Sequence, residues 1–373
     1  LTLNYVDAKG DTGLDLGINA RPLIEGRGRG NGIAFRLTPA EPIIAFQKFH
    51  FVDNSDWIYL HKNMRVYANV DMDSEDGLCF RMQSDRSDTV SLQNINLELI
   101  RFRLDKLSGI LPYMPRITGL FSAEANYIQT ATSLQVSAEA GVEKLTYERQ
   151  PVGNIGLGAT WLPGDKGTHY LNAYFRSGDQ EVLTADAVLT QKNGRDSLEV
   201  NTTFEHFPLS LANAFMPDQV VTFTGDIDGG LYINGDMEKP KMSGDLSLDS
   251  VSVYARQAGA RYWFDNRPLK IENNQLIFNK FAIYTTSRNP FTIDGNVDFR
   301  NMDRPTANLT LRAQNYTLLD APRTRESMLY GKIFVDLNAT VRGPLDGLTM
   351  RGNMNLLGNT DVTYVLTDSP LTV

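Results

Sequence analysis

Long stretches of strict alternation between apolar and polar residues constrain the fold of this chain more than any other feature. From Phe223 to Gly235 every odd position is apolar or glycine, and most positions between them are polar. After a break containing Pro240, the run Met242–Leu248 alternates in the same way. A period of two residues is typical of a strand with one apolar and one wet face. The two runs therefore predict a pair of long amphipathic strands joined by a turn.

This pattern recurs at a fixed spacing. Gly119, Gly225 and Gly331 open equivalent runs and follow one another at intervals of 106 residues. Leucine-rich segments at 104–115 and 209–217, upstream of the first two glycines, have the spacing and the prolines of very short helices. A period this long without globular linkers predicts an array in which each repeat buries its edge strands against the next.

We therefore expect an all-β fold. The expected architecture is an elongated repeat array, a curled and mostly antiparallel sheet with an apolar interior and one or two very short helices. The array should be continuous over residues 1–373 and form part of a longer protein, with approximate repeat units 1–103, 104–207, 208–317 and a truncated 318–373. Among its strands, Met64–Met72 also alternates strictly, and turn-forming residues at 73–77 end it.

Composition excludes several classes of protein. Hydrophobic residues make up 42% of the chain and charged residues 21%, which is typical of a folded protein. The 44 acidic and 36 basic side chains give a net charge of −8 without a basic block, which argues against nucleic acid as a partner. The single cysteine, Cys79, excludes an internal disulfide and a cysteine-rich metal site. No apolar run approaches the roughly 18 residues of a membrane helix, so any anchor is expected outside this sequence.

Two segments resemble ligand loops but fit other structures better. The glycines of Gly26–Gly32 alternate with arginines, yet Ile33-Ala34-Phe35 has the character of a strand and no Lys-Ser/Thr follows, so a turn or kinked strand is predicted instead of a phosphate loop. The acidic run Asp71–Gly77 has its glycine one position too late for a calcium loop, and Met82 stands where the bidentate glutamate belongs. A solvated turn is the simpler interpretation.

Nothing in the sequence indicates catalysis. The four histidines, His50, His61, His169 and His206, are scattered without metal-ligand spacing. No serine lies in a nucleophile-elbow pattern, and Cys79 has no local cue for a lowered pKa. We therefore predict a protein that is not an enzyme, with no catalytic residue, no metal and no cofactor.

The apolar strand faces must be covered, because each large apolar side chain left in water costs about 1.5–3 kcal/mol. A second sheet packed on the first would make a closed sandwich, which alternation alone favours. Alternatively, one long sheet curls into a trough that a lipid acyl chain or a client polypeptide fills. The expected lining residues of this groove are Phe121, Tyr127, Phe223, Ile227, Leu231, Ile233, Met242, Leu246, Leu248, Ile333, Val335, Leu337, Val341, Met350, Met354 and Leu356.

A family resemblance favours the groove. The segment from Phe207-Pro208-Leu209 to Val251, with Gly225, Asp228-Gly229 and Gly244-Asp245-Leu246, resembles the C-terminal region of the TamB family. The likeness recurs at 331–356, and Leu111–Gly119 is similar to the form found in Bacteroidetes members. It extends over the whole chain as a pattern of glycines and alternation without a catalytic signature.

The resemblance implies a function in the bacterial envelope. Members are anchored in the inner membrane, here through a segment outside this sequence, and cross the periplasm as a curled β-sheet with an apolar interior. They work with an outer-membrane barrel of the TamA or BamA type. Expected ligands are phospholipid acyl chains, moved between the membranes as in the AsmA-like group, and client outer-membrane or secreted polypeptides. The alternatives are an adhesive β-sandwich array that binds protein or glycan at the cell surface, and a glycan-acting β-solenoid enzyme, for which paired carboxylates are missing.

Overall fold

The computed structural model describes residues 1–23, 31–85, 87–88, 90–109, 114–192, 195–216, 220–256, 259–286, 288–323 and 329–365. Its contacts divide the chain into unit 1, Leu1–Glu181, and unit 2, Val182–Val373. Within the described residues 23 strands form, and all the strand pairs that we describe are antiparallel.

Unit 1 is a meander in which each strand pairs with the next along the chain. Its strands are β1 (Thr2–Val6), β2 (Thr12–Leu23), β3 (Gly32–Ile44), β4 (Gln47–His61), β5 (Val66–Ser74), β6 (Cys79–Ser84), β7 (Gln93–Arg103), β8 (Ile117–Gln129), β9 (Leu134–Tyr147), β10 (Gln150–Pro163) and β11 (Thr168–Ser177).

Unit 2 continues the meander pattern with two branch points. Its strands are β12 (Gln180–Lys192), β13 (Arg195–Pro208), β14 (Val221–Asp236), β15 (Lys241–Ala255), β16 (Ala260–Phe264), β17 (Leu269–Glu272), β18 (Gln275–Tyr284), β19 (Phe291–Asp298), β20 (Thr306–Ala321), β21 (Leu329–Pro344), β22 (Thr349–Leu356) and β23 (Asp361–Tyr364). Strands β16 and β17 pair side by side with β15 and then with β18, and β22 and β23 share β21 in the same way.

Short 3₁₀ helices precede the two glycine-opened strands β8 and β14. They span Leu104–Gly109 and Leu209–Phe215, and a third 3₁₀ turn covers Asp165–Gly167. The second helix completes the edge of β14 beyond the point where β13 ends. Its Asn213 accepts the backbone N–H of Phe223 at 2.7 Å and donates to the Phe223 carbonyl at 2.9 Å. One amide side chain thus replaces the missing neighbour strand at that residue.

Each unit curls until its apolar face packs on itself. In unit 1 the buried cluster comprises Ala45, Phe49, Val70, Met72, Leu78 and Phe102. In unit 2, strands β16 and β20 are separated in the sheet by β18 and β19, yet Ala260, Leu319 and Ala321 form one buried cluster. Tyr262 Oη donates to the Leu318 carbonyl across this contact at 3.0 Å. A flat sheet could not bring these strands together.

Five one-residue bulges with a common geometry contribute to the bending. In each, a residue with φ between 44° and 60° donates its backbone N–H to a side-chain oxygen on the neighbouring strand, at 2.7–3.0 Å. We call this arrangement a capped bulge. The donor and acceptor residues are Arg101 and Ser122, Lys144 and Asn154, His206 and Asp228, Lys280 and Asp294, and Asn315 and Asp336.

These observations confirm the prediction of an all-β, antiparallel and curled sheet within each unit. The glycines predicted to be equivalent, Gly119, Gly225 and Gly331, all have positive φ, at 144°, 88° and 113°. The glycine-rich segment 26–30 lies outside the described residues, whereas Ile33-Ala34-Phe35 forms part of β3 as predicted. Continuity over 1–373 and the four repeat units stay predictions.

Candidate functional site

The apolar face of unit 2 is continuous from strand to strand because the registers pair apolar residues with one another. In β12–β15, Ala187 pairs with Val200, Val200 with Ile233, and Ile233 with Met242. A parallel row runs from Leu183 through Phe204 and Gly229 to Leu246, and the row between the two contains Ala185, the polar Thr202, Leu231 and Gly244. Since paired side chains in a sheet lie on the same face, rows of apolar contacts run across the strands.

Two glycines shape this face around its leucines. Leu231 lies opposite Gly244, and Leu246 lies opposite Gly229. A Cβ atom at Gly229 would lie 2.2 Å from the Asp245 carbonyl oxygen, and one at Gly244 would lie 2.1 Å from that of Gly230. The close backbone approach therefore requires glycine at both positions, and neither leucine has a side chain directly opposite it.

The predicted lining residues of unit 2 differ in how far they are covered. Val335 and Val341 on β21 are buried, at 2% and 9% exposure. On β22, Met354 and Leu356 are 59% and 65% exposed, and Met350 is also exposed. All the others are half-buried, namely Phe223, Ile227, Leu231, Ile233, Met242, Leu246, Leu248, Ile333 and Leu337. The face is thus covered near β21 and open along β14, β15 and β22.

The two lining residues predicted in unit 1 have different surroundings. Phe121 packs against the buried cluster around Val70 and Phe102, at the closed end of this unit. Tyr127 is half-buried and pairs with Ile95 and Val136, and Val136 in turn pairs with Trp161. Leu157 on β10 is 53% exposed. The apolar face of unit 1 is therefore closed near Phe121 and open along β9 and β10.

At the closed end of the face in unit 2 lies a tyrosine whose pKa is strongly raised, Tyr316. Tyr316 is 2% exposed and packs with Phe291 and Val335. Burial raises the pKa of Tyr316 to about 12, because the tyrosinate form would be poorly solvated, and the nearby Tyr262 acts in the same direction. The hydroxyl is therefore neutral at physiological pH, and this end of the face carries no charge from it.

Sequence reasoning missed two structural features of the sheet. These are the capped bulges and Asn213, whose partner Phe223 is ten residues away. Asp71 and Asp73 lie in β5, and Asp71 Oδ1 accepts from Arg81 Nε at 3.2 Å, so these residues act within the sheet. Glu75, Asp76 and Gly77 form an exposed turn, as predicted.

Comparison with known families identifies the last quarter of the chain. The family model described as the TamB C-terminal domain matches residues 279–372. No curated protein and no solved structure matches the chain. In the part of the chain that the structure describes, no helix has the length and apolar character needed to cross a bilayer.

Proposed function

The chain belongs to the TamB family, whose members serve envelope biogenesis by transporting lipid or protein, and from this premise we propose that its apolar sheet face is a conduit for phospholipid acyl chains. The protein would act without catalysis in the periplasm, attached to the inner membrane through a segment outside this sequence. Its product would be lipid delivered across the aqueous gap between the two membranes.

The observation that carries this proposal is that rows of apolar side chains cross the sheet and are only partly covered by other residues. Leu231 and Leu246 are half-buried, each opposite a glycine, and the apolar rows on either side of Leu231 continue from β12 to β15. An acyl chain of about 16 methylenes gains up to roughly 0.8 kcal/mol per methylene on leaving water, which is on the order of 10 kcal/mol. Covering the exposed halves of the leucines would add to this gain.

The open lining also favours lipid over a single rigid ligand. Apolar contact has no directional requirement, so a chain can slide along such a face without breaking hydrogen bonds. Met242 on β15 and Met354 on β22 belong to the proposed lining, and the flexible thioether side chain adapts to a ligand that changes position. These properties suit a transported cargo.

A client polypeptide is a second candidate, supported by the edge of unit 2. Among the residues that the structure describes, strand β22 pairs with β21 alone, and all its residues are exposed. Such an edge can add a strand from an incoming outer-membrane protein or from a barrel of the TamA or BamA type. We keep this as the alternative cargo because the edge offers backbone pairing in addition to apolar contact.

Native mass spectrometry of the purified chain tests the proposal. If the face is a lipid conduit, the protein purified from bacterial membranes carries phospholipid, and delipidated protein takes it up again from vesicles of phosphatidylethanolamine and phosphatidylglycerol. A protein that stays lipid-free under both conditions, with its fold intact by circular dichroism, contradicts the proposal.

A further inference from the structure

The polar face of unit 2 brings a histidine and two aspartates together from three neighbouring strands. His206 lies on β13, Asp228 on β14 and Asp249 on β15. One potential ligand atom from each lies within 4.8 Å of the other two. His206 Nδ1 is 3.2 Å from Asp228 Oδ1. The three residues are 22 and 21 positions apart in sequence, so no short motif announces the cluster.

Two bulges bring these three side chains together. His206, with φ of 51°, is the donor of a capped bulge, and its backbone N–H binds Asp228 Oδ1 at 2.8 Å. Ser250, with φ of 52°, lies at a second bulge, between β14 and β15. Its hydroxyl donates to Asp249 Oδ1 at 2.9 Å. Each carboxylate is thereby oriented through Oδ1 and keeps Oδ2 for a further ligand.

The capped bulge at Lys280 provides an internal comparison. There the acceptor Asp294 is neutralised by the third strand, since Arg312 Nη1 lies 3.3 Å from Asp294 Oδ2. At the His206 bulge the third strand supplies Asp249 where the comparison has an arginine. At this position on the third strand, the His206 bulge therefore has the carboxylate of Asp249, whereas the Lys280 bulge has the guanidinium group of Arg312.

The surrounding charges increase this imbalance. Asp226 is the direct cross-strand partner of Asp249, and like charges placed opposite each other destabilise a sheet. Over the described ranges, no lysine or arginine forms an ion pair with Asp226, Asp228 or Asp249. In this part of the described chain Asp228 and Asp249 thus have His206 as their neighbour, and the three carboxylates have no lysine or arginine partner.

We propose that His206, Asp228 and Asp249 form a binding site for a divalent transition-metal ion of the Zn²⁺ class, which links β13, β14 and β15. One imidazole nitrogen with carboxylate oxygens suits Zn²⁺, whereas Ca²⁺ and Mg²⁺ prefer oxygen ligands alone. Ligand atoms on one Zn²⁺ ion lie about 3–4 Å apart, which surface side chains reach by rotation. Water completes the coordination.

The site acts on structure and leaves the apolar lining free. Leu231 and Ile227 alternate with Asp228 along β14 and point to the opposite face of the sheet. A bound ion would neutralise the carboxylates and connect three strands just before the chain leaves β13 for the 3₁₀ helix Leu209–Phe215. It would hold the sheet together where its strand edge is incomplete.

The proposal is tested by measuring zinc binding to the full chain after a chelator has removed bound metal. Equilibrium dialysis against ZnCl₂, read by plasma mass spectrometry, should find one tight site, and CaCl₂ should compete weakly. H206K introduces the residue found at the Lys144 and Lys280 capped bulges. D249N keeps the shape of the side chain and removes its charge. Each should lower zinc affinity at least about tenfold, since even indirect contacts to metal ligands change affinity that much. D294N, at the Lys280 bulge, is the matched control and should bind zinc like the wild type.

Melting in EDTA separates binding from folding. Both variants should melt within about 2 °C of the wild type without metal, because these are surface substitutions. Should H206K fold poorly, D228N replaces it, since Asn154 fills the same cap at the Lys144 bulge. Zinc X-ray absorption should show one imidazole nitrogen with oxygen and no sulfur. A sulfur neighbour would assign the ion to Cys79 and overturn the proposal. The proposal is also overturned if H206K and D249N bind zinc with wild-type affinity, or if the wild type takes up no zinc.

Discussion

Replacing Leu231 by aspartate separates an open conduit from a closed core. In the lipid-free protein Leu231 is already half-exposed, so Leu231→Asp loses about 1 kcal/mol of burial and up to about 1 kcal/mol of strand preference. An acyl chain laid over the same position would lose a further contact of about 1 kcal/mol and would bury a carboxylate at a cost of several kcal/mol. The variant should therefore bind lipid much more weakly while it still folds.

The magnitudes can be compared in one experiment. A penalty of about 4 kcal/mol on the bound state corresponds to a roughly thousandfold loss of lipid affinity. The cost of about 1–2 kcal/mol to the free fold lowers the melting temperature by only several degrees. Lipid occupancy is measured by native mass spectrometry over a series of lipid concentrations, and melting by circular dichroism on the same samples.

Two variants serve as references for this measurement. Asn234→Asp adds the same charge on the opposite face of β14 and should leave lipid occupancy unchanged. Val70→Asp places the charge in the unit 1 core, where Val70 is 1% exposed, and should prevent folding. If Leu231→Asp unfolds the protein as Val70→Asp does, the face around Leu231 is a closed core. If it keeps full lipid occupancy, lipid does not use this face.

Two further predictions concern the backbone and the closed end of the face. Gly331→Ala should destabilise unit 2 by about 1–3 kcal/mol, because φ is 113° and the new Cβ would lie 2.2 Å from the Asp361 carbonyl oxygen. Gly358→Ala, where nothing lies within 4 Å, should change the denaturation midpoint far less, and equal effects would contradict the close approach. Tyrosine ¹³Cζ NMR should show one resonance with a pKa of about 12 that disappears in Tyr316→Phe. Because the pKa of Tyr316 is higher in the folded than in the unfolded protein, the neutral hydroxyl stabilises the fold. This contribution to the free energy of unfolding is complete below about pH 10 and is lost as the pH rises towards 12. A midpoint near 10 for this resonance would show that Tyr316 is solvated.

Alternation predicted the strands well because it reflects a simple physical requirement. The runs around Leu231 and Leu246 became β14 and β15, paired in a register that keeps the apolar side chains on one face. Glycines spaced by 106 residues became backbone positions with positive φ. The period also placed Ala68, Val70 and Met72 on the buried face of β5. Met64, by contrast, lies in the turn before β5 and is 63% exposed, since alternation does not mark where a strand begins.

The features that sequence could not provide depend on contacts between distant residues. A capped bulge at His206 or Asn315 needs a positive φ at a non-glycine residue, which is uncommon, and its partner lies about 20 residues away. That β21 is covered while β14 in the same unit is open follows from how far the sheet curls, to which the bulges contribute. For the same reason the pattern could not choose between a sandwich and a trough, and it gave no sign of the cluster around Asp249.

Photo-crosslinking in cells tests the central claim most directly. A benzophenone side chain placed at Leu231, on the apolar face, should capture phospholipid upon irradiation, whereas the same group at Asn234 on the opposite face should not. Capture of a polypeptide at Leu231 instead would assign the face to a protein client. If Leu231 yields neither lipid nor client and matches Asn234, the face has no guest and the conduit is refuted.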